Sequence, residues 1–185
     1  MGNLKLSTVV YLLIKYQWFI MYTKWEKVGN LLISSFYNFM LIGEYIHTID
    51  EKNRVSMPSK FRKEMGKKII ITPGLDKCLF VFTMKEWTKV SKRLSDTDSD
   101  LSFLKKDKRS FNRFMFGRAI DVEVDSIGRI LVPDFLKEII KPTGKVAVIG
   151  VEDRVEIWND KVWLQYKEMI GKEADELAEK LANEK

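Results

Sequence analysis

From position 40 onward, apolar residues fall into two kinds of run, and the two kinds recur twice in the same order. Ile42–Ile49 and Ala119–Val124 alternate apolar with polar and are rich in β-branched residues, which predicts strands with one buried face. Lys68–Thr72 with Leu79–Phe82, and Val146–Ile149 with Val155–Trp158, are short, almost continuous apolar runs that predict hairpins around Pro73-Gly74 and Gly150. Between the two kinds lie short helical patterns. One carries Phe61 and Met65 a turn apart, the other Phe135, Leu136 and Ile139. Pro58 and Pro133 suit their first helical positions, and Gly66 and Pro142 end them. Thr83-x-x-Glu86 reads as a capping box before Trp87, and Asn159 caps a matching helix before Trp163. Both tryptophans are expected as core anchors. A last stripe, Trp163, Tyr166, Ile170, Leu177 and Leu181, keeps helical spacing into an acidic tail.

The recurrence is a duplication. Asp50-Glu51-Lys52-Asn53-Arg54-Val55-Ser56-Met57-Pro58 aligns with Asp125-Ser126-Ile127-Gly128-Arg129-Ile130-Leu131-Val132-Pro133, and after one inserted residue Ile70–Trp87 overlies Val146–Trp163. A unit this long suits a small duplicated domain better than a solenoid repeat. The parse is therefore an extension over 1–39, a first repeat over 40–94, a linker and connecting helix over 95–116, a second repeat over 117–170 and a helical tail over 171–185. The linker holds Ser95-Asp96-Thr97-Asp98-Ser99-Asp100, and the connecting helix is expected over Phe103–Phe116 with Lys105, Lys106, Lys108, Arg109 and Arg113 on its wet side.

At the centre of each copy sits Asp-x-x-x-Arg. Asp50 and Asp125 can each accept from a backbone N–H two residues on, closing an Asx-type turn. Asn53 and Gly128, residue types that tolerate positive φ, precede the arginines. Each arginine has two available roles. It can pair back onto its own aspartate and hold the turn, or it can reach outward to phosphates and guanine edges. The structural role is the natural one for Arg129; around Arg54, with Lys52, Lys60, Arg62 and Lys63 nearby, binding gains ground.

Charge sharpens that contrast. Residues 40–94 carry 12 Lys and Arg against 6 Asp and Glu, whereas residues 117–170 carry 8 against 10. The asymmetry suits a first copy that faces a polyanion and a second that serves the fold or the assembly, and it suits equally a drift of charge on a solvated surface. Cys78 and His47 are the chain's sole cysteine and histidine, which excludes an internal disulfide framework and a single-chain zinc cluster and suits a reducing cytoplasm. No phosphate-binding glycine loop, dinucleotide fingerprint or nucleophile elbow is present, so no catalytic set, metal or cofactor is expected. A paired-carboxylate site from Asp50 and Asp125 is disfavoured, because each is followed by an arginine where small hydroxyl residues would be wanted.

Residues 1–39 differ from the rest. Their apolar runs at Ser7–Ile14 and Leu31–Phe36 fall short of the roughly 18 apolar residues that span a bilayer. They are read as leader sequence ahead of a start at Met40, with a membrane-associated amphipathic extension as the alternative.

Gly43-Glu44-Tyr45 with Asp50-x-x-x-Arg54, Asp125-x-Ile127-Gly128-Arg129 ending in Pro133, Gly74-Leu75-Asp76-x-Cys78-Leu79, and Val148-Ile149-Gly150-Val151 with Glu156-Ile157-Trp158 together resemble the MraZ family, from Met40 to about Leu181. The resemblance implies an α+β, β-rich fold in which two pseudo-symmetric AbrB/SpoVT-like swapped-hairpin repeats form a barrel-like unit with peripheral helices. It implies a cytoplasmic, nucleoid-associated regulator, usually a repressor, that assembles as a homo-oligomeric ring. Its ligand would be double-stranded DNA, as short G-rich direct repeats upstream of its own gene in the division and cell-wall cluster; no small-molecule substrate or membrane is implied. Arg54 becomes the first choice for a base contact, with Lys52, Lys60, Arg62 and Lys63 on phosphates and Asn53 at the tip, where the family usually has glycine. Asp50, Asp125, Gly128 and Arg129 are then structural members of the motif. An antitoxin-like or scaffolding module acting through protein partners is the alternative.

Overall fold

The computed structural model describes residues 40–95 and 105–183. The expectations for residues 1–39, for the linker over Asp96–Asp100 and for the first residues of the connecting helix lie outside that range.

Two hairpins make the middle of the molecule. In the first repeat, β1 (Leu41–Thr48) leads through the Asp50 turn to β2 (Arg54–Ser56), α1 (Ser59–Met65), β3 (Lys68–Pro73), β4 (Leu79–Thr83) and α2 (Met84–Ser95). After α3 (Lys106–Met115) the second repeat runs β5 (Ile120–Glu123), β6 (Arg129–Leu131), α4 (Asp134–Ile140), β7 (Lys145–Glu152), β8 (Arg154–Asn159) and α5 (Asp160–Asn183). The continuous apolar runs become the inner strands: β3 buries every residue after Lys68, and β8 buries Val155–Asn159. The alternating runs become the edges, where one face stays wet.

Six strands form one antiparallel sheet in the order β1-β7-β8-β4-β3-β5. The first strand of each repeat pairs with the other repeat: β1 lies on β7, and β5 lies on β3. The halves are thus interlocked by swapped edge strands. A local two-fold relates them, passing between Phe80 and Glu156, which face each other where β4 meets β8. It recurs in a separate two-stranded ribbon, β2 on β6, with Val55 opposite Ile130. The expected barrel-like closure is not present in the pairing. Among the described residues β1 and β5 are the edges of the six-stranded sheet, and the ribbon is a second pair tied to the end of β1 by a bridge between Ile49 and Val55.

The core lies between ribbon, helices and sheet. Phe61 and Met65 from α1 and their counterparts Leu136 and Ile140 from α4 are buried with Val55, Ile130, Ile69, Ile71, Val146 and Val148. Tyr45 meets Phe61 edge-on with ring centroids 5.2 Å apart. Burial of each such large side chain contributes about 1.5–3 kcal/mol relative to exposure. In α4 the expected face is rotated by one residue. Phe135 is 39% exposed and lies under the Arg118 guanidinium, Ile139 packs only at the margin, and Ile140 takes the buried place.

Local signals were displaced slightly by packing. Pro58 and Pro133 occupy the cap one residue before each helix, with ψ of 139° and 149°, and α4 ends at left-handed Lys141 ahead of Pro142. Gly150 does not make the second hairpin turn. β7 runs past it, the bend falls at Glu152–Asp153, and Gly150 pairs instead with Gly43 of β1. A Cβ at Gly150 would lie 2.6 Å from the Leu41 carbonyl carbon, so this glycine serves the close approach of the swapped strand. The caps hold: Thr83 Oγ1 accepts from Glu86 N at 3.1 Å, and Asn159 Oδ1 accepts from Lys161 N at 2.9 Å.

Trp87 and Trp163 are half-buried at the margin of the core, Trp163 against the buried cluster of Cys78, Ala147, Ile149 and Trp158. Trp87 packs with Phe82 and Phe116, and Trp163 with Trp158 and Tyr166, in aromatic layers beneath the helices that follow each hairpin. The helix α5 buries none of its residues; Leu177 and Leu181 at its far end are 40% and 70% exposed. No helix among the described residues is long and apolar enough to cross a membrane.

Candidate nucleic-acid interface

The two Asp-x-x-x-Arg turns are the same object built twice. Asp50 N donates to Arg54 O at 3.0 Å and Asn53 N to Asp50 O at 2.9 Å; Asp125 N donates to Arg129 O at 2.8 Å and Gly128 N to Asp125 O at 2.9 Å. Each carboxylate then closes its turn from outside. Asp50 Oδ1 accepts from Lys52 N and Arg54 N at 3.0 and 2.8 Å, and Asp125 Oδ1 accepts from Ile127 N and Arg129 N at 3.1 and 2.8 Å. The other oxygen takes the arginine: Arg54 Nε to Asp50 Oδ2 is 2.7 Å, and Arg129 Nε to Asp125 Oδ2 is 2.8 Å. The expected left-handed residues are where the motif put them, with φ of 59° at Asn53 and 84° at Gly128.

Electrostatics follows the geometry. The backbone N–H of each arginine, and after it the guanidinium, hold the Asp50 and Asp125 carboxyls below their ordinary values. Both arginines thus take the structural role. Each does so through Nε; Arg54 Nη1 and Nη2 have no hydrogen bond to a described residue, and its side chain is 32% accessible. Holding a turn and reaching outward are compatible for this side chain, because the two tasks use different nitrogens.

The turns are gripped from the opposite repeat. Met57 N donates to Gly128 O and Val132 N to Asn53 O, both at 2.9 Å. Arg62 of α1 reaches across to Ile127 O at 3.0 Å. Its counterpart on α4, Lys137, donates to Asn53 Oδ1 at 2.6 Å, and Asn53 Nδ2 donates to Asp134 Oδ1 at 2.6 Å.

Comparison with known proteins decides the lineage. A family model described as "MraZ protein, putative antitoxin-like" matches the chain twice, over residues 40–114 and again over 115–184. The chain belongs to the MraZ family. It is similar, at 46% identity over 144 residues, to a protein of Caldanaerobacter subterraneus subsp. tengcongensis named transcriptional regulator MraZ; the match covers 78% of this chain and 98% of that one. Proteins of the same name from Acetivibrio thermocellus and Moorella thermoacetica are 44% and 42% identical over 143 and 144 residues, covering 77% and 78% of this chain and 97% and 98% of theirs.

Set within a MraZ repeat, the basic residues singled out around Arg54 divide into two groups. Lys52 and Lys63 are exposed, with no side-chain partner among the described residues. Lys60 and Arg62 are engaged while still exposed: Lys60 Nζ donates to Ile42 O at 3.4 Å, and Arg62 donates to Ile127 O of the second turn. A Cβ on Gly128 would meet the Arg62 side chain, so that glycine makes room for the crossing arginine as well as bending the turn. Asn53, expected among the DNA-contacting residues, has a partner within the protein at each of its amide atoms. Asp134 and Lys137 carry no motif and were not among the expected residues; the repeat alignment of Arg62 with Lys137 is the signal that points to them.

His47 and Cys78 are held in the forms that suit packing. Burial, then the charge of Arg62, pushes the His47 imidazole below its ordinary 6.5. Burial pushes the Cys78 thiol well up, and its Sγ contacts Leu75 O at 3.0 Å.

Proposed function

We propose that this chain is a DNA-binding transcriptional regulator that reads promoter DNA through the first Asp-x-x-x-Arg turn. The observation that carries the reading is the match over nearly the full length of relatives named transcriptional regulator MraZ. Three features of the first repeat support it: the two Nη atoms of Arg54, the exposed Lys52 of the same turn with Lys63 exposed on α1, and the excess of positive charge in that half.

In this mechanism lysines contact phosphates, which gives salt-sensitive affinity with no sequence preference. Arg54, braced through Nε, places its Nη atoms on a guanine edge in the major groove, a contact typically worth about 1–3 kcal/mol of discrimination. One such turn reads too little sequence to select a promoter. Several subunits in a ring, each on one of a series of G-rich direct repeats upstream of the chain's own gene, gain selectivity by multivalency. Repression of the division and cell-wall genes follows from occupancy of that promoter. The work is done in the cytoplasm at the nucleoid.

The test is fluorescence anisotropy of the full chain on a duplex from upstream of its own gene, beside a scrambled duplex, across a salt series. Preference for the promoter that weakens with salt, lost in Arg54→Ala and kept in a correctly folded Arg129→Ala, is the expected result. Equal affinity of wild type and Arg54→Ala for the promoter sinks the assignment of Arg54. A second reading, an antitoxin-like module acting on a protein partner, draws on the family description and on the uncovered Leu177 and Leu181 of α5; it gains if the two duplexes bind alike.

A further inference from the structure

We propose that Asn53 is a positioning residue for Arg54, clamped by Asp134 and Lys137 of the second repeat, and that this clamp sets the aim of the DNA-reading turn. The proposal rests on the DNA reading above and names what orients that site.

Three ties from the second repeat converge on the single residue that precedes Arg54. Asn53 O accepts from Val132 N at 2.9 Å, Asn53 Nδ2 donates to Asp134 Oδ1 at 2.6 Å, and Asn53 Oδ1 accepts from Lys137 Nζ at 2.6 Å. The two side-chain bonds each involve an ionised partner and are short, as charge-assisted hydrogen bonds are. An asparagine reading adenine needs its carbonyl oxygen and its NH2 for the base edge. Here each already has a charged partner within the protein, which fixes the plane of the amide and suits a side chain that orients the turn.

The turn behind Asn53 is stiff. Asp50 holds Arg54 at the backbone N–H and again at Nε. The guanidinium plane therefore moves with the turn, and whatever tilts the turn tilts Nη1 and Nη2. A bidentate contact to a base tolerates errors of only about 0.5 Å and 10–20°. The second turn lacks this device. Gly128 has no side chain to grip, and the helix across from it reaches a backbone oxygen, Ile127 O, through Arg62. Among the described residues the side-chain clamp is thus found on the turn of the basic half, where aim has a use.

The test compares wild type, Asn53→Gly, Asn53→Asp, Lys137→Met and the Asn53→Gly/Lys137→Met double variant, as full chains, on promoter and scrambled duplexes at one salt concentration, with Tm for each. Glycine accepts φ of 59° freely, so Asn53→Gly is expected to melt within a few degrees of wild type and to bind the scrambled duplex equally well. Its preference for the promoter is expected to fall about tenfold, a loss comparable to one good base contact. Asn53→Asp keeps a turn-tolerant residue but sets a carboxylate against Asp134; it is expected to lose the same preference and stands in if Asn53→Gly melts early. The double variant is expected to be no worse than the poorer single one, since the two residues act as one clamp. Unchanged promoter preference in Asn53→Gly or Asn53→Asp, or losses that simply add in the double variant, overturns the positioning role while leaving the DNA reading standing. A wild type that binds both duplexes alike overturns the DNA reading, and the positioning role with it.

Discussion

Val55 and Ile130 face each other across the β2–β6 ribbon, both wholly buried, and the local two-fold of the molecule passes between them. One residue further along in each strand direction, Arg54 is opposite Leu131 and Ser56 opposite Arg129. The two motif arginines thus sit at opposite ends of one three-residue ribbon. Its centre is the point at which the placement of one turn is referred to the other.

Ile130→Ala removes buried atoms at that centre and is expected to destabilise by about 2–5 kcal/mol, whereas Ile130→Val is expected to cost about 0.5–1.5. Urea unfolding checks both. A cost near zero for Ile130→Ala would show that the ribbon collapses onto the gap without loss.

Gly128→Ala forces a Cβ into a left-handed residue and against the Arg62 stem. The backbone strain alone is expected to cost about 1–2 kcal/mol. Asn53→Gly, the aligned change in the opposite sense, is expected to be close to neutral in the same measurement. A Gly128→Ala cost no larger than that backbone strain would mean that the crossing of Arg62 has no energetic weight.

His47 is the chain's one histidine, so its ring protons are assignable at once by NMR. Its native titration is expected below the ordinary 6.5, and Arg62→Ala is expected to raise it part of the way, because burial, the larger cause, remains. The sign for stability follows. The folded state holds its proton less tightly than the unfolded chain, so stability is full above pH 6.5 and declines as pH falls through the folded value.

At lower pH the motif aspartates take over. Their folded values are depressed from an ordinary 3.8, so the stability they supply is present above that value and lost as pH falls through the lower folded one. Thermal melts across this window are expected to show a steep acid limb that flattens in the Asp50→Asn/Asp125→Asn variant. An acid limb of unchanged steepness assigns the acid sensitivity to other carboxylates.

Cys78 is expected to resist a thiol reagent in the native protein and to react at once in denaturant, since burial both hides the sulfur and disfavours the thiolate. Fast native labelling would point to frequent opening of the β3–β4 hairpin.

The local half of this architecture was legible in the chain. Asp50 and Asn53 announce a turn by chemistry that operates over four residues, and Phe61 and Met65 show which side of α1 is buried by their spacing. Partner choice was not legible. The alternation in Ile42–Ile49 says that one face is buried, but not that the strand lies on β7, because a two-residue period identifies faces and carries no address. The clamp on Asn53 was hidden for the same reason. Its partners are 81 and 84 residues away, and Asp134 and Lys137 look like ordinary wet residues of a short helix. Gly150 misled because glycine signals both a bend and a close approach, and only the strand that approaches tells them apart.

The exchanged edge strands have a consequence for how the two halves can diverge. A single repeat would leave its β3 without β5 and its β1 without β7, so it would reach this fold only by finding a second copy. Joining the copies in one chain replaces that concentration-dependent encounter with a constant local one that dilution does not weaken. Unlike halves then meet every time. A lysine gained on one side need not appear on the other, and a side chain such as Lys137 can specialise in serving a turn that is not its own.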